Sequence, residues 1–406
     1  MTSSKPPRKP AKKPARTPRS APKRESRTED VLLHGFAHGG EAVGRLSDGK
    51  AVFVSYALPG ERVRVHITDE RARWARGVPL AVLEPSADRI EPECPLYGEC
   101  GGCTLQHIAP ARRQALLRQV LIDQLERIGG LTDPPVEAIR SAGDFGYRNT
   151  ARFAVTPEGG LGFRAARSRR VIPVPACPLL TPETQALREE AGDDWIDSEE
   201  VIVRAASRSG GRTLITIPGY AGGTVTEHVG GFDFRISPGS FFQQNTQGAE
   251  ILLELVREAA AVEPGERAVD LYAGVGLFAR GLAQDGAEVI AVESSESAVA
   301  DARENLAELA AEIWHGTAEE ALDELGTDAD IDVVVLDPPR AGAGADVVTR
   351  IAALRARVIV YVSCDPAALA RDVKIFGDHR YRLQSATPVD QFAQTGHLET
   401  VAVFTY

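Results

Sequence analysis

The chain has 406 residues, 43% of them hydrophobic and 25% charged, enough for two or three domains that each bury a core. No apolar run nears the roughly 18 residues that cross a bilayer, and the N-terminus has no signal-peptide core. The expectation is therefore a cytoplasmic protein, neither secreted nor membrane-bound. Five cysteines without an export signal argue for metal binding or catalysis rather than a disulfide framework.

Residues 1–30 hold ten Lys or Arg, three Asp or Glu and six prolines, a net +7 in a chain that carries −11. Such a stretch cannot repay its ordering entropy. Residues 1–28 read as a disordered basic tail, either adding non-specific affinity for a polyanion or simply solubilising the chain. Residues 31–83 then break into short β-rich runs, among them Ala51–Val54 and Arg62–Ile67, separated by Gly39-Gly40, Asp48-Gly49 and Pro59-Gly60. A small barrel closes such strands without open edges. Pro85 to Cys103 is irregular. Leu117, Val120, Leu121, Leu125 and Ile128 predict a helix over about 110–128, stopped by Gly129-Gly130. Residues 136–236 read as strand-rich with no long helix. From about 247, helices over 247–261, 276–285, 297–310 and 344–355 alternate with strands over 267–271, 287–292, 331–336 and 357–362, the mark of a doubly wound α/β sheet.

The segment Val269-Asp270-Leu271-Tyr272-Ala273-Gly274-Val275-Gly276 runs from a strand into a Gly-rich turn that opens a helix, where the backbone can approach a ligand and Asp270 can meet a polar group. Glu293 ends the next strand, placed to hold ribose hydroxyls. The full dinucleotide fingerprint is missing, which favours an adenosine ligand without phosphates, S-adenosylmethionine rather than NAD. Asp337-Pro338-Pro339-Arg340 and Ser363-Cys364-Asp365-Pro366 each follow a strand at its carboxyl end, the edge where open α/β sheets bind ligands. A free cysteine is most often inert core, but a post-strand loop aimed at a ligand edge suits a nucleophile.

Taken together, these segments resemble the TRAM-containing, iron–sulfur RNA uracil-5-methyltransferases that act on 23S rRNA, from about residue 31 to the C-terminus. The motifs that carry the resemblance are Phe241-Phe242-Gln243-Gln244-Asn245, Asp270–Gly276, Leu336–Gly342, Ser363–Pro366 and Gly396-His397-Leu398-Glu399. The resemblance implies cofactor contacts from Gln243, Tyr272, Gly274, Glu293 and Asp337, with Cys364 as nucleophile and Glu399 as general base. Leu277 and Thr317 stand where some relatives carry polar residues that meet the cofactor. The implied chemistry explains the residue types. Uracil C5 cannot attack a methyl sulfonium until a thiolate adds to C6, and the adduct must then lose its C5 proton to a base. The target uridine must leave its stack, and Phe241 or Phe242 can stack on it or fill the gap, unless they are ordinary core.

Cys94-x5-Cys100-x2-Cys103 and the distant Cys177 form a four-thiolate set whose spacing alone fits zinc or a [4Fe–4S] cluster. The resemblance implies the cluster. Residues 140–170 carry seven arginines against Asp144 and Glu158, interleaved with Phe145, Tyr147, Phe153 and Phe163, as an RNA face requires, although the solvated face of a strand would look similar. Arg62, Arg64, Arg71, Arg73, Arg76 and Trp74 form a second cluster in the barrel, which by resemblance is a TRAM domain, an OB-like RNA-binding module.

The expected architecture is multidomain α/β: a TRAM barrel at 29–88, a central β domain with the cluster cysteines at 89–106 and 131–240, and a Rossmann-like methyltransferase domain at 107–130 and 241–406. The expected partner is RNA, 23S rRNA first and tRNA as the alternative, with no membrane and no obligate protein partner. A protein of another class, an iron–sulfur RNA binder with a vestigial methyltransferase fold, is the remaining rival. A DNA cytosine-5-methyltransferase is disfavoured, because its Pro-Cys nucleophile motif is absent here.

Overall fold

The computed structural model describes residues 27–206 and 210–406, so the basic tail lies outside the described residues apart from Arg27 and Thr28. Strands β1 (Thr28–Phe36), β2 (Ala42–Arg45), β3 (Ala51–Val54), β4 (Arg62–Glu70) and β5 (Trp74–Glu84) close into a barrel in the order β1-β2-β3-β5-β4. Alternation explains it: along β4, Val63, Val65 and Ile67 are buried while Arg62 and Arg64 face out. The barrel core also holds Val31, Leu33, Val52 and Val54.

Arg89, in the irregular segment that follows, grips the fully buried Glu61 through both carboxylate oxygens, at 2.6 and 2.8 Å, and so ties the cysteine region to the barrel. Helix α1 (Pro110–Arg127) buries Leu116, Leu117, Val120, Leu121 and Leu125 against the main core. Arg113 on its first turn is fully buried and is ion-paired to Asp390 at 2.9 Å and to Asp144.

After β6 (Arg140–Ser141), strands β7 (Thr150–Val155), β8 (Leu161–Arg164) and β9 (Val171–Pro173), helix α2 (Pro182–Ala191), and strands β10 (Glu200–Ala205) and β11 (Arg212–Ile217) build the central unit. Its five-stranded sheet has the order β11-β10-β7-β8-β9. Two stretches that the sequence grouped with this unit pack elsewhere. Strand β6 joins the catalytic sheet, Arg140 and Ser141 pairing with Val389 and Asp390. The hairpin β12 (Val225–Val229) and β13 (Phe232–Ile236) buries Val225, Val229, Phe234 and Ile236 in the catalytic core. Apolar alternation marks a strand but not the core that receives it.

The C-terminal half runs α3 (Thr246–Ala260), β14 (Arg267–Leu271), α4 (Leu277–Gln284), β15 (Glu288–Glu293), α5 (Glu296–Asn305), β16 (Ala311–His315), α6 (Ala318–Leu325), β17 (Val333–Leu336), α7 (Gly344–Leu354), β18 (Val358–Ser363), α8 (Pro366–Asp378), β19 (Arg382–Asp390) and β20 (Glu399–Thr405). Its eight-stranded sheet has the order β16-β15-β14-β17-β18-β20-β19-β6. Strands β14 to β18 are parallel, and β17 and β18 are buried along their whole length, as strands covered on both faces must be. The order reverses between β14 and β17, the switch point at which such sheets open a ligand crevice. Strand β20 runs antiparallel to β18, so its first residue arrives where β18 ends: Ser363 pairs with Thr400. No helix among the described residues is long and apolar enough to cross a membrane.

Candidate active site

A cleft of about 760 Å³ lies at the carboxyl edge of the sheet, a size that suits a small-molecule ligand. Gln243, Tyr272, Gly274, Glu293, Asp337, Cys364 and Glu399 all line it, so every predicted catalytic and cofactor residue converges there. The topology explains the convergence. Tyr272 and Gly274 follow β14, Glu293 ends β15, Asp337 follows β17, Cys364 follows β18, and Glu399 opens the antiparallel β20.

The cofactor side is built by backbone. Tyr272 sits at φ 63°, a left-handed conformation that costs a non-glycine residue energy and that only a tightly held turn retains. The Gly274 N–H donates to one oxygen of Glu293 at 2.9 Å, and Ser295 N–H donates to the other at 2.7 Å. The Glu293 carboxylate is thereby aimed, with lone pairs left for hydroxyl donors. Asp270 does not line the cleft. It is fully buried under the turn, accepts from Ala279 N–H at 2.8 Å and holds the start of α4, and burial pushes its carboxyl up to about 7. Leu277 is a buried core residue, and Thr317 caps α6 in a reciprocal pair with Glu320. Neither lines the cleft.

At the reacting side, burial, then the charges of Glu399 and Asp337, push the Cys364 thiol up to about 11, against the pull of Arg340. Burial likewise lifts Glu399 to about 7, while a hydrogen bond from Gln391 and the charge of Arg340 favour its ionised form. Asp337 is held well above the usual carboxylate range by burial and by the charges of Glu399 and Asp270. A carboxylate poised near neutrality beside a thiol is the arrangement that acid–base chemistry at pH 7 needs.

Sequence reasoning missed Gln391. Its fully buried amide donates to Glu399 Oε2 at 2.9 Å and to Gln243 Oε1 at 3.2 Å, joining the two residues across the cleft. Gln391 follows β19, and only the β19–β20 pairing folds it back onto Glu399, eight positions on. Strand alternation over 382–405 was the available signal. The two phenylalanines separate cleanly. Phe242 is buried against Phe234, whereas Phe241 is 63% exposed on the cleft wall.

Cys94, Cys100, Cys103 and Cys177 line one pocket with Tyr97, Gln106 and Arg148. The isolated bridge Cys100–Ala165 and the bond from Gly101 N–H to the Arg164 carbonyl at 3.0 Å seat the first three against the central sheet. Burial and the neighbouring thiols push Cys103 up to about 12, and burial raises Cys100 and Cys177 as well. Among the described residues no three His, Cys, Asp or Glu side chains form a group that could hold a metal ion. Gly102 and Arg148 line both this pocket and the large cleft, so the two are neighbours.

Most of the arginine-rich surface is compensated. Arg62, Arg64, Arg71 and Arg76 pair with Glu84, Asp30, Asp69 and Glu41, and Arg152, Arg164 and Arg170 pair with Glu200, Glu200 and Glu99. Arg73, Arg169 and the cleft's own Arg340 form no ion pair with another described residue. A run of arginines in sequence therefore overstates the charge that faces solvent.

Fold and cleft together define a methyltransferase on a doubly wound sheet that carries a cysteine and a carboxylate at its ligand edge. The tRNA (uracil-5-)-methyltransferase family matches residues 185–405 and the TRAM domain matches residues 22–80. An uncharacterized RNA methyltransferase of Streptomyces avermitilis is 36% identical, covering 92% of this chain and 97% of its own length. The 23S rRNA (uracil(1939)-C(5))-methyltransferase RlmD of Alkalilimnicola ehrlichii is 33% identical, covering 92% and 96%. The Pyrococcus abyssi tRNA (uracil-54, C5)-methyltransferase, solved with S-adenosyl-L-homocysteine, superposes with a TM-score of 0.72 at 25% identity, covering 93% and 99%. The chain belongs to the tRNA (uracil-5-)-methyltransferase family, fused to a TRAM domain, and is an S-adenosylmethionine-dependent RNA uracil-C5 methyltransferase.

Proposed function

We propose that this chain methylates C5 of a uridine in 23S rRNA through a covalent adduct on Cys364. The observation that carries the mechanism is the β18–β20 pairing, which brings Cys364 and Glu399 to one cleft with Asp337. S-Adenosylmethionine would be held by Gln243, Tyr272, Gly274, Glu293 and Asp337 and would supply the methyl group from its sulfonium sulfur, leaving as S-adenosylhomocysteine. The Cys364 thiolate adds to C6 of the extruded uracil, moving an electron pair onto C5 and O4, and C5 takes the methyl. Glu399 then removes the C5 proton, the C5–C6 double bond re-forms, and the thiolate leaves. Phe241, exposed on the cleft wall, is the stacking partner for the flipped base, while Phe242 is core.

The four remaining cysteines suit a [4Fe–4S] cluster: an all-sulfur donor set around one pocket, with the Gly102 N–H 3.4 Å from Cys100 Sγ as a donor to sulfur. Bound there, the cluster would hold the 94–103 segment to Cys177 and hence to the central sheet.

Substrate choice rests on the rRNA enzymes at 33% identity, with the tRNA reading favoured by the archaeal structure. Nucleoside mass spectrometry decides between them after incubation with S-adenosylmethionine and either unmodified 23S rRNA or tRNA. 5-Methyluridine in rRNA alone supports the proposal. The product in tRNA alone transfers the mechanism to tRNA, and its absence from both leaves an RNA-binding protein with a vestigial fold.

A further inference from the structure

We propose that the β1–β2 loop of the barrel, residues 37–41, is a positioning element of the active site, holding the nucleophile loop through His38 and the base loop through Gly39 and Gly40. The inference rests on the roles proposed for Cys364 and Glu399.

On the nucleophile side, His38 Nε2 lies 3.2 Å from Asp365 Oδ2. Asp365 follows Cys364 directly and caps α8, its Oδ1 accepting from Ala368 N–H at 2.8 Å, while its own N–H donates to Ser363 Oγ at 3.3 Å. Both neighbours of Cys364 are thus fastened, and the outer carboxylate oxygen is fastened by the barrel. The hydrogen bond from His38 is the main reason that the Asp365 carboxyl sits down at about 2.

On the base side, Gly396, three residues before Glu399, lies against the loop so closely that a Cβ would stand 2.6 Å from the Gly39 carbonyl oxygen. Gly40, at φ 85°, would place a Cβ 3.4 Å from Gly396 Cα. At Gly396 backbone meets backbone, with no side chain to give way, whereas a Cβ on Gly40 would also meet the Leu105 side chain at 3.0 Å. The loop is anchored in turn by Glu41, which is 9% exposed and takes Arg76 at 3.1 Å, Ser55 Oγ at 3.2 Å and, from the central unit, Arg167 at 2.6 Å. The barrel is closed, so this tip is presented by a rigid body rather than by a tethered arm.

Effective positioning of a thiol and a base is worth orders of magnitude in rate, and RNA affinity need not change with it. The test uses the full-length protein as isolated, an unmodified 23S rRNA transcript and the same transcript carrying 5-fluorouridine. Its C5 fluorine cannot be removed as a proton and so traps the adduct. His38→Ala is expected to slow adduct formation at saturating RNA by about tenfold with unchanged RNA Kd, and His38→Gln, which keeps a donor, to recover most of the rate. Gly396→Ala, which pushes the base loop off the barrel, is expected to slow release of 5-methyluridine product more than adduct formation. The His38 side chain is 37% exposed, so its replacement leaves the fold intact, and the glycine variant tests the other side of the loop independently. Weakened RNA binding with full rate at saturation in His38→Ala would make His38 an RNA contact and overturn the inference. Unchanged rates in both variants would do the same. A wild-type protein that forms neither adduct nor 5-methyluridine would remove the proposed mechanism itself, and the inference with it.

Discussion

The five cysteines divide between two neighbouring pockets, and the contrast shows what surroundings do to one functional group. Cys364 and Cys103 are both partly buried and both pushed well above the usual thiol range, to about 11 and about 12. Beside Cys364 the other ionisable groups are Glu399, Asp337 and Arg340, and its cleft is large enough for a base and a cofactor. Beside Cys103 they are Cys177, Cys100 and Cys94, around a small pocket. One thiol among carboxylates has a proton acceptor and room for a substrate, which suits catalysis. The four thiols that line the smaller pocket have no carboxylate among the groups that shift Cys103, and the donor set there is all sulfur.

The largest expected effect breaks one pocket and spares the other. Cys364→Ala should lower methylation by at least about 10⁴-fold, as loss of a nucleophile does, with iron content unchanged by elemental analysis. Glu399→Gln should slow turnover by about 10²–10⁴-fold, the usual contribution of a general base, and leave a methylated protein–RNA adduct on a denaturing gel. No slow-migrating RNA-linked band would count against Glu399 as the base. Cys103→Ser should reverse the pattern of Cys364→Ala, losing the brown absorbance and iron after anaerobic reconstitution while the Cys364 loop stays intact. Zinc without colour in the wild-type protein would replace the cluster with another metal.

A smaller effect concerns pH. Glu399 must be ionised to accept a proton, and its carboxyl sits at about 7, so the rate should rise with pH through that value. Gln391 donates to the charged form, so Gln391→Leu should favour the neutral acid and move the rising limb upward by about one unit. A pH–rate profile of adduct resolution for both proteins checks the direction. An unmoved limb would assign the titration to another group.

Legibility followed sequence distance. The strand-to-turn segments around Gly274, Asp337 and Cys364 were readable because each carries its chemistry within a few residues of a β-strand's end, and a parallel sheet sends all such ends to one edge. Gln391 and His38 have no local signal; each matters only through a partner brought in by sheet pairing or domain docking. Arg113 carries no local signal in the sequence. In the structure it is buried 277 positions from its partner Asp390, at the edge that carries Gln391. Arg62, Arg64, Arg152 and Arg164 each have a carboxylate partner that the sequence, which shows charges singly, conceals.

Sequence by itself determined the order of barrel, central strands and doubly wound sheet, and put Gly274, Asp337 and Cys364 at strand ends, because hydrophobic period and turn chemistry are local properties; Gln243 and Glu399 came only from the family resemblance. Tertiary structure alone decided that β6 and the β12–β13 hairpin belong to the catalytic core, that four distant thiols share one pocket beside the cleft, and that the barrel tip touches the nucleophile and base loops. Those outcomes depend on which surfaces bury one another, a long-range competition that no single segment encodes.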